Sequence, residues 1–510
     1  MKKFPFPYLL GFFAVAAWGF PPFSRPALAE TCDPPIAIAV SVQGDVKVKH
    51  GKGGEWIPVG RKDAFCPGDV LRVMERSRAD LLLMNETTLR LDQTTEIVFS
   101  APAKEKETWL DLILGGAYFL SRTPRRFKVG TPFVNAGIEG TEFFLRAESD
   151  KTLVTVFEGR VTAENDRGSV TLDRGQSAEA SVGQAPVVRA VARPRDAVQW
   201  TLYYPAVVTP REGAPPDWRE RAAALLTVGR ADEAQVLIDG ALKDAPGDAD
   251  ALALQAVIAV ARNEKETASE LGKKAVAANP ESAAAWVALS YAQQANFDLE
   301  GALASLQAAV QVEPGNALAR ARLSELLLAF GRLDEALDEA QKASAQNPGI
   351  ARTQTVLGFA YLAQVKTRDS RDAFERAIAL DQADPLPRLG LGLATIRDGD
   401  VQSGRKEIEV AASLDPNSSL IRSYLGKAYY EEKRGKTASS QFSVAKELDP
   451  ADPTPYFYDA ILKQSLNRPV EALRDLQRSI SLNDNRAVYR SRLLLDEDLA
   501  ARSASLGRIY

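Results

Sequence analysis

The sequence predicts a multidomain protein, with an N-terminal all-β domain followed by a C-terminal all-α superhelical solenoid built from helix pairs. Two observations support this prediction. Short runs of alternating apolar and polar residues occupy the first part of the chain, and in the second part proline and small side chains recur every 34 residues. A chain of 510 residues is also too long to fold around one hydrophobic core.

The N-terminal residues have the features of a secretory signal peptide. Lys2 and Lys3 precede an apolar stretch from Tyr8 to Phe20, and Ala27-Leu28-Ala29 follows as a cleavage motif of small residues. We therefore expect residues 1–29 to be cleaved after Ala29, and the protein to be exported to the periplasm or the outer membrane. An uncleaved membrane anchor is the alternative, because apolar residues extend on both sides of that stretch.

The chain has two cysteines, Cys32 and Cys66, and both lie near the β region. In an oxidising compartment two such cysteines form a disulfide when their Cα atoms are within bridging distance. The sequence does not give that distance. Two buried free thiols therefore remain the alternative to a Cys32–Cys66 disulfide.

Residues 36–195 are predicted to form the β domain. Apolar residues alternate with polar ones in short segments such as Val46/Val48 and Val154/Val156, and glycines separate these segments. The alternation places one face of each strand in a core and the other in water. Because no helical segment intervenes, we expect a barrel, a sandwich or a β-solenoid.

Several segments of this region resemble the FecR domain. They occur in the expected order and are Gly68-Asp69-Val70-Leu71, Phe127-Lys128-Val129-Gly130-Thr131-Pro132, Gly140-Thr141-Glu142-Phe143, Val154-Thr155-Val156-Phe157-Glu158-Gly159 and Leu172-Asp173-Arg174-Gly175-Gln176. The resemblance implies a compact periplasmic β domain, which in the best-known members relays the state of an outer-membrane receptor to a sigma factor. No cytoplasmic segment precedes the leader in this sequence, so we expect docking or assembly instead of signalling. The glycines and the Gly-Thr-Glu-Phe segment are interpreted as turn and core residues.

Residues 196–214 are predicted to be a linker because Pro205, Pro210, Pro215 and Pro216 lie within or next to this segment. After it, a 34-residue period runs over residues 215–486. The prolines on this period are Pro246, Pro280, Pro314, Pro348, Pro416 and Pro450, with Gln382 at the one omitted position. The period defines eight units, and positions 8, 20 and 27 of every unit hold Ala, Gly or Ser. Small residues at fixed positions let antiparallel helices pack closely against each other.

This period and its small residues are similar to those of the tetratricopeptide (TPR) family. The resemblance implies a superhelix whose concave surface, formed by positions 2, 5, 9, 12 and 13, binds protein partners. We predict an apolar groove there instead of the family's lysine and asparagine clamp for carboxylates. Its candidate binding residues are Val257, Tyr291, Phe359, Leu389, Leu393, Phe457 and Ile461. Alternatively, these side chains fill the inside of a tight superhelix or contact the β domain.

Residues 487–510 depart from the period. The first thirteen of them interrupt it, and Leu506-Gly507-Arg508-Ile509-Tyr510 then repeats the pattern of a first repeat helix. We therefore predict an insertion followed by the start of a further, incomplete TPR helix.

Composition and charge exclude several function classes. A net charge of −4 and a pI near 5.6 argue against nucleic-acid binding, which requires a basic surface. The one histidine, His50, has no partner pattern and is predicted to be a solvated loop residue, which makes a histidine-based metal site or catalytic triad improbable. We predict no catalytic, cofactor or metal site, and a protein that is not an enzyme.

These features together predict an exported cell-envelope scaffold that binds proteins through its TPR groove. The FecR-like domain would serve as a docking module for an outer-membrane or peptidoglycan-associated component. The alternatives are a FecR-type envelope signalling regulator and a glycan-binding envelope protein.

Overall fold

A computed structural model describes residues 32–51, 53–104, 107–121, 127–190, 194–208 and 215–482. The predicted signal peptide and residues 487–510 lie outside these ranges. The described chain forms a β-rich N-terminal region and a helical solenoid, which confirms the predicted fold class.

Fifteen strands form one continuous hydrogen-bonded sheet within the described residues. They are β1 (Ala37–Gln43), β2 (Val46–Lys49), β3 (Trp56–Pro58), β4 (Ala64–Phe65), β5 (Val70–Val73), β6 (Arg78–Leu83), β7 (Thr88–Leu91), β8 (Thr95–Lys104), β9 (Glu107–Leu120), β10 (Phe127–Gly130), β11 (Asn135–Ala147), β12 (Lys151–Asn165), β13 (Gly168–Asp173), β14 (Ser177–Ser181) and β15 (Val187–Arg189). The longest path through the sheet is β15-β14-β12-β11-β10-β9-β7-β6-β1-β4. All pairs are antiparallel except β9 with β10.

The alternation of apolar and polar residues along the strands determines which side chains form the core of the β domain. Val154, Val156 and Val161 of β12 point inward and pack with Phe119 and Phe143, whose rings stack 4.6 Å apart. Burial of such alternating apolar side chains is the main favourable term for a sheet with one solvated face.

The ladder between β11 and β12 changes register on both sides of Glu142. Such a β-bulge re-aims the side chain at the irregular position. Phe143 packs in the sheet core, and Glu142 reaches the solenoid.

Sixteen α-helices form eight antiparallel pairs, called units 1 to 8, in the described residues 215–482. They are α1 (Trp218–Thr227), α2 (Ala231–Asp244), α3 (Ala249–Ala261), α4 (Lys265–Ala278), α5 (Ala283–Ala295), α6 (Leu299–Val312), α7 (Ala317–Ala329), α8 (Leu333–Gln346), α9 (Ala351–Ala363), α10 (Thr367–Leu380), α11 (Pro385–Arg397), α12 (Val401–Leu414), α13 (Ser419–Glu431), α14 (Gly435–Leu448), α15 (Pro453–Ser465) and α16 (Pro469–Ser481).

The start of most first helices is fixed by a side-chain cap. Asp248, Ser282 and Asn316 each accept a hydrogen bond from the third N–H of the helix that follows. A cap of this kind satisfies one of the four N–H groups that a helix start leaves without a partner. From unit 2 onward, the first helices begin at the residues where the 34-residue period begins its units.

Small residues lie where helices approach most closely. Ala234, Ala268 and Ala302 are fully buried between neighbouring helices. A Cβ atom added at Gly358 would lie only 2.6 Å from the ring of Phe374. The recurring small side chains therefore set the distance between helices.

The solenoid is curved enough for distant units to meet. The Lys265 ammonium of unit 2 lies 3.8 Å from the Asp449 carboxylate at the end of unit 7. Among the described helices, none combines the length and apolar character needed to cross a membrane.

Candidate protein-binding groove and interdomain contacts

The chain itself occupies the first part of the groove. Residues 202–208, called the strap, follow a 3-10 helix at Pro194–Thr201 and lie in the segment that the sequence assigned as linker. Leu202, Tyr204 and Val207 of the strap are buried in the same core as the solenoid helices. The strap lines one cavity with α1 and α3, and Val207 and Val208 line another with the starts of α3, α5 and α7.

Tyr203, near the start of the strap, contacts a buried group of charged side chains. The Tyr203 hydroxyl lies 3.5 Å from the Asp381 carboxylate. Burial raises the pKa of Tyr203 well above its usual value, and the nearby Asp384 and Asp381 shift it in the same direction. Burial also raises the pKa of Asp384 to about 7, against the opposing effect of the Arg352 guanidinium.

The seven predicted groove residues lie in the interior of the solenoid. Val257, Tyr291, Phe359, Leu389, Leu393 and Phe457 are buried, and Ile461 is half-buried. The Tyr291 ring lies 3.9 Å below the Arg322 guanidinium, and the Phe359 ring meets Phe374 edge-on at 4.9 Å. Tyr291 and Phe359 thus contact other side chains of the chain, so their role in binding a partner stays a prediction.

Leu393 differs from the other six because it borders an open cavity of about 380 Å³ between units 5 and 8, here called the groove cavity. Its apolar floor consists of Leu362, Leu393, Ile396, Tyr424 and Tyr458. A volume of this size and an apolar lining are typical of binding pockets.

Charged side chains form the rim of the groove cavity. Lys427 forms an ion pair with Glu431 and lies 5.8 Å from the centre of the Tyr458 ring. Arg397 donates a hydrogen bond to the Leu362 carbonyl at 2.9 Å. The rim therefore has two cations and one anion.

Of the residues named around the groove cavity, the sequence predicted only Leu393. Tyr424 and Tyr458 occupy position 6 of their units, whereas the groove prediction used positions 2, 5, 9, 12 and 13. Lys427 and Arg397 do occupy positions 9 and 13. The signal that would have revealed them was a pair of cations at groove positions of adjacent units.

Buried ion pairs join the β domain to the solenoid. Arg422 of α13 lies 2.9 Å from Glu142 of β11, and both side chains are fully buried. Glu142 also accepts a hydrogen bond from the Tyr118 hydroxyl at 2.7 Å, and Arg422 donates one to the Pro416 carbonyl at 3.0 Å. Glu142, which the sequence assigned to turn or core, is therefore a buried interdomain contact.

A second contact uses Arg90 of β7. Its guanidinium donates a hydrogen bond to the Ser413 carbonyl at 3.0 Å and lies 3.3 Å from Asp80. Arg388 of α11 donates to the Val40 carbonyl of β1 at 2.7 Å. Charges buried to this extent are stable only when paired, so these contacts fix the two domains relative to each other.

The structure also shows what the two cysteines and the histidine contact. Cys32 and Cys66 form a disulfide with their Cα atoms 5.7 Å apart. The Nδ1 atom of His50 lies 3.0 Å from an oxygen of the buried Asp69 carboxylate, so His50 is held in place and is not simply a solvated loop residue.

A β-rich domain fixed to a solenoid of 34-residue helix pairs defines a two-domain class of repeat protein. Family comparisons agree with this class. Residues 69–162 match the model of the FecR protein family, residues 293–358 match that of the tetratricopeptide repeat, and residues 223–314 match that of the ChAPs (Chs5p-Arf1p-binding proteins). The chain thus has a FecR domain followed by TPR-type repeats.

Parts of this chain are similar to solved structures. The APC/C hetero-tetramer Cut9–Hcn1 is 18% identical, with a TM-score of 0.45, and the match covers 57% of this chain and 56% of that chain. A TPR protein of Parabacteroides merdae is 15% identical (TM-score 0.36; 51% of this chain and 98% of that chain). A protein described as an anti-sigma factor of Parabacteroides distasonis is 16% identical (TM-score 0.24; 27% and 67%). No curated protein is significantly similar to this chain.

Proposed function

We propose that this protein is an exported cell-envelope scaffold that binds an extended segment of a partner protein in the groove cavity. FecR and TPR domains are typical of protein interaction or of signalling regulators. The observation that supports binding is an open apolar cavity at Leu393, in a groove whose first part is filled by the strap. The partner would add a second extended segment to the same concave surface.

The strap indicates what such a segment looks like. It inserts apolar side chains, Leu202 and Val207, into the groove, and its Tyr203 hydroxyl reaches a charged group there. The groove cavity offers a similar floor, but its rim has the cations Arg397 and Lys427. The partner segment is therefore one with a large apolar side chain flanked by acidic residues.

Two features support export. The N-terminal residues have the pattern of a secretory signal, and the Cys32–Cys66 disulfide is typical of an oxidising compartment. The FecR domain would dock to an outer-membrane or peptidoglycan-associated component. Its β15 strand ends the longest path of the sheet, and Val187 and Val188 on it are exposed.

A peptide titration tests groove binding. One synthetic peptide has a central leucine flanked by aspartates, and a second has lysines in their place; fluorescence polarisation measures binding of each to the full chain. We expect the acidic peptide to bind more tightly. The double variant Arg397→Glu and Lys427→Glu should reverse this preference, since both side chains are at least partly exposed and the fold should tolerate the change.

The matched control is Val236→Asp, which introduces a charge at a solvent-exposed position of α2. It should leave binding of both peptides unchanged. Equal affinity of the two peptides for the wild-type chain, or no binding of either, contradicts the proposed function.

The second candidate function is envelope signalling, and the match of residues 69–162 to the FecR family favours it. In that case the FecR domain would receive a signal from an outer-membrane receptor, and the repeats would transmit it. An uncleaved N-terminus on the protein isolated from envelope fractions would favour signalling over the scaffold.

A further inference from the structure

The residues that follow the last repeat unit contain a short stretch with the chemistry of a groove ligand. Residues 493–499 read Leu-Leu-Leu-Asp-Glu-Asp-Leu, so three consecutive leucines are followed by three consecutive acids. This stretch, here called the acidic leucine segment, belongs to the predicted insertion at 487–499 and lies outside the described residues. Large apolar side chains beside carboxylates are also the pattern proposed for a partner of the groove cavity.

The groove cavity has surfaces that match this segment. Its floor is apolar, and a volume of about 380 Å³ accommodates large aliphatic side chains. At the rim, Arg397 is exposed and forms no ion pair within the described part of the chain. Lys427 pairs with Glu431, but an ion pair between partly exposed side chains is weak and can exchange partners. The rim therefore keeps a net positive charge, which attracts acidic residues.

The end of α16 lies close enough for the segment to reach the cavity. The Ser479 hydroxyl donates a hydrogen bond to the Pro453 carbonyl at 2.9 Å, so α16 ends beside the start of α15. Tyr458 of the cavity floor follows Pro453 by five residues, which is about 8 Å along the helix. Leu493 follows Leu482 by eleven residues, a length of up to about 36 Å when extended. The connection is therefore longer than the distance it has to cover.

We propose that the acidic leucine segment of this chain occupies the groove cavity and that a partner has to displace it. The leucines contact the apolar floor, and the acids lie at Arg397 and Lys427. This inference rests on the proposed function, since it assigns a regulator to the same cavity. Tethering raises the effective concentration of the segment to about the millimolar range, so weak contacts suffice for it to compete. The apparent affinity for a partner then falls in proportion to the fraction of molecules whose cavity is free.

Photo-cross-linking of the full chain tests where the segment lies. The photoreactive residue p-benzoylphenylalanine replaces Leu494, and mass spectrometry maps the cross-links after irradiation. We expect cross-links to α11, α13 or α15 of the same chain. The same probe in the Arg397→Glu and Lys427→Glu double variant should give several-fold fewer of them, because the rim then repels the acids. Cross-links between two chains only, to other helices only, or none at all overturn the proposal.

Fluorescence polarisation with the peptide that has a central leucine flanked by aspartates tests the competition. The triple variant Asp496→Lys, Glu497→Lys and Asp498→Lys of the full chain should bind this peptide several-fold more tightly than the wild type, because its segment no longer closes the cavity. The control is Ser503→Lys with Ser505→Lys, which adds positive charge to the same part of the chain but outside the segment. It should bind the peptide like the wild type.

The two measurements separate this inference from the proposed function. If the peptide binds the wild type and the triple variant with equal affinity, the segment does not compete, and the inference fails while groove binding stands. If the peptide binds neither protein, the proposed function fails, and the cross-links from position 494 then decide whether the segment lies in the cavity. Tighter binding by the triple variant and the control alike would show a general effect of charge and would also overturn the inference.

Discussion

At the scale of single residues, the most informative side chains are charged ones that the fold buries. Arg422 and Glu142 have no exposed surface, yet they come from different domains. Replacing one partner of such a pair leaves the other buried and uncompensated. The sequence did not reveal this, because arginine is rarely fully buried, and the burial of Arg422 depends on Glu142, which lies 280 residues away in the chain.

Arg422→Met is therefore expected to destabilise the protein by about 3–5 kcal/mol, since Glu142 would keep its charge in a dry interface. Urea denaturation measures the free energy of unfolding. The control is Arg371→Met, which removes an exposed ion pair with Asp398 and should cost about 1 kcal/mol or less. Equal costs for the two variants would show that the interdomain contact is not buried.

Asp384 gives a prediction about pH. Burial raises its pKa in the folded chain to about 7, above the value in the unfolded chain, so the folded state binds the proton more tightly. This contribution to stability is complete below about pH 4 and is lost as the pH rises toward 7, with a slope of at most about 1.4 kcal/mol per pH unit.

Asp384→Asn should reduce the change in the free energy of unfolding between about pH 4 and pH 7. Asparagine can still accept the capping hydrogen bond from the N–H of Leu386, and it stays neutral at every pH. Chemical denaturation at pH 5 and pH 8 measures the change. The variant should gain stability relative to the wild type at pH 8; an identical pH dependence in both proteins would contradict the assignment.

At the scale of elements, the 34-residue period predicted the helices well because it reflects local packing. Caps such as Ser282 and small residues such as Ala302 act within one or two units, so each is readable from the sequence. The strap was not predicted, because its burial depends on helices that come together only in the superhelix. Composition alone assigned it to a linker.

Two glycines test the packing of elements directly. Alanine in a helix interior is favoured over glycine by about 1 kcal/mol, so Gly240→Ala, with open space around its Cβ, should stabilise the protein. Gly358→Ala should destabilise it instead, because the new Cβ would lie 2.6 Å from the Phe374 ring. Thermal denaturation shows whether the melting temperature of each variant rises or falls. A higher melting temperature for Gly358→Ala would show that the helices are farther apart than in the structure.

At the scale of the whole molecule, the FecR domain and the solenoid form one body. Arg90, Arg388 and Arg422 each contact the other domain, and the strap fills the groove of the first units. The sequence predicted both folds but treated them as separate modules, because a sequence does not show which surfaces of two domains meet. The groove cavity at units 5 to 8 lies away from both the strap and these interdomain contacts.

Hydrogen–deuterium exchange of the full chain, with and without the acidic leucine peptide, tests this account most directly. Binding should slow exchange in α11, α13 and α15, whose side chains line the groove cavity, and leave α1 and α3 beneath the strap unchanged. Slower exchange at α1 and α3 without any change at α11, α13 and α15 would mean that the peptide displaces the strap and that the groove cavity is not the binding site.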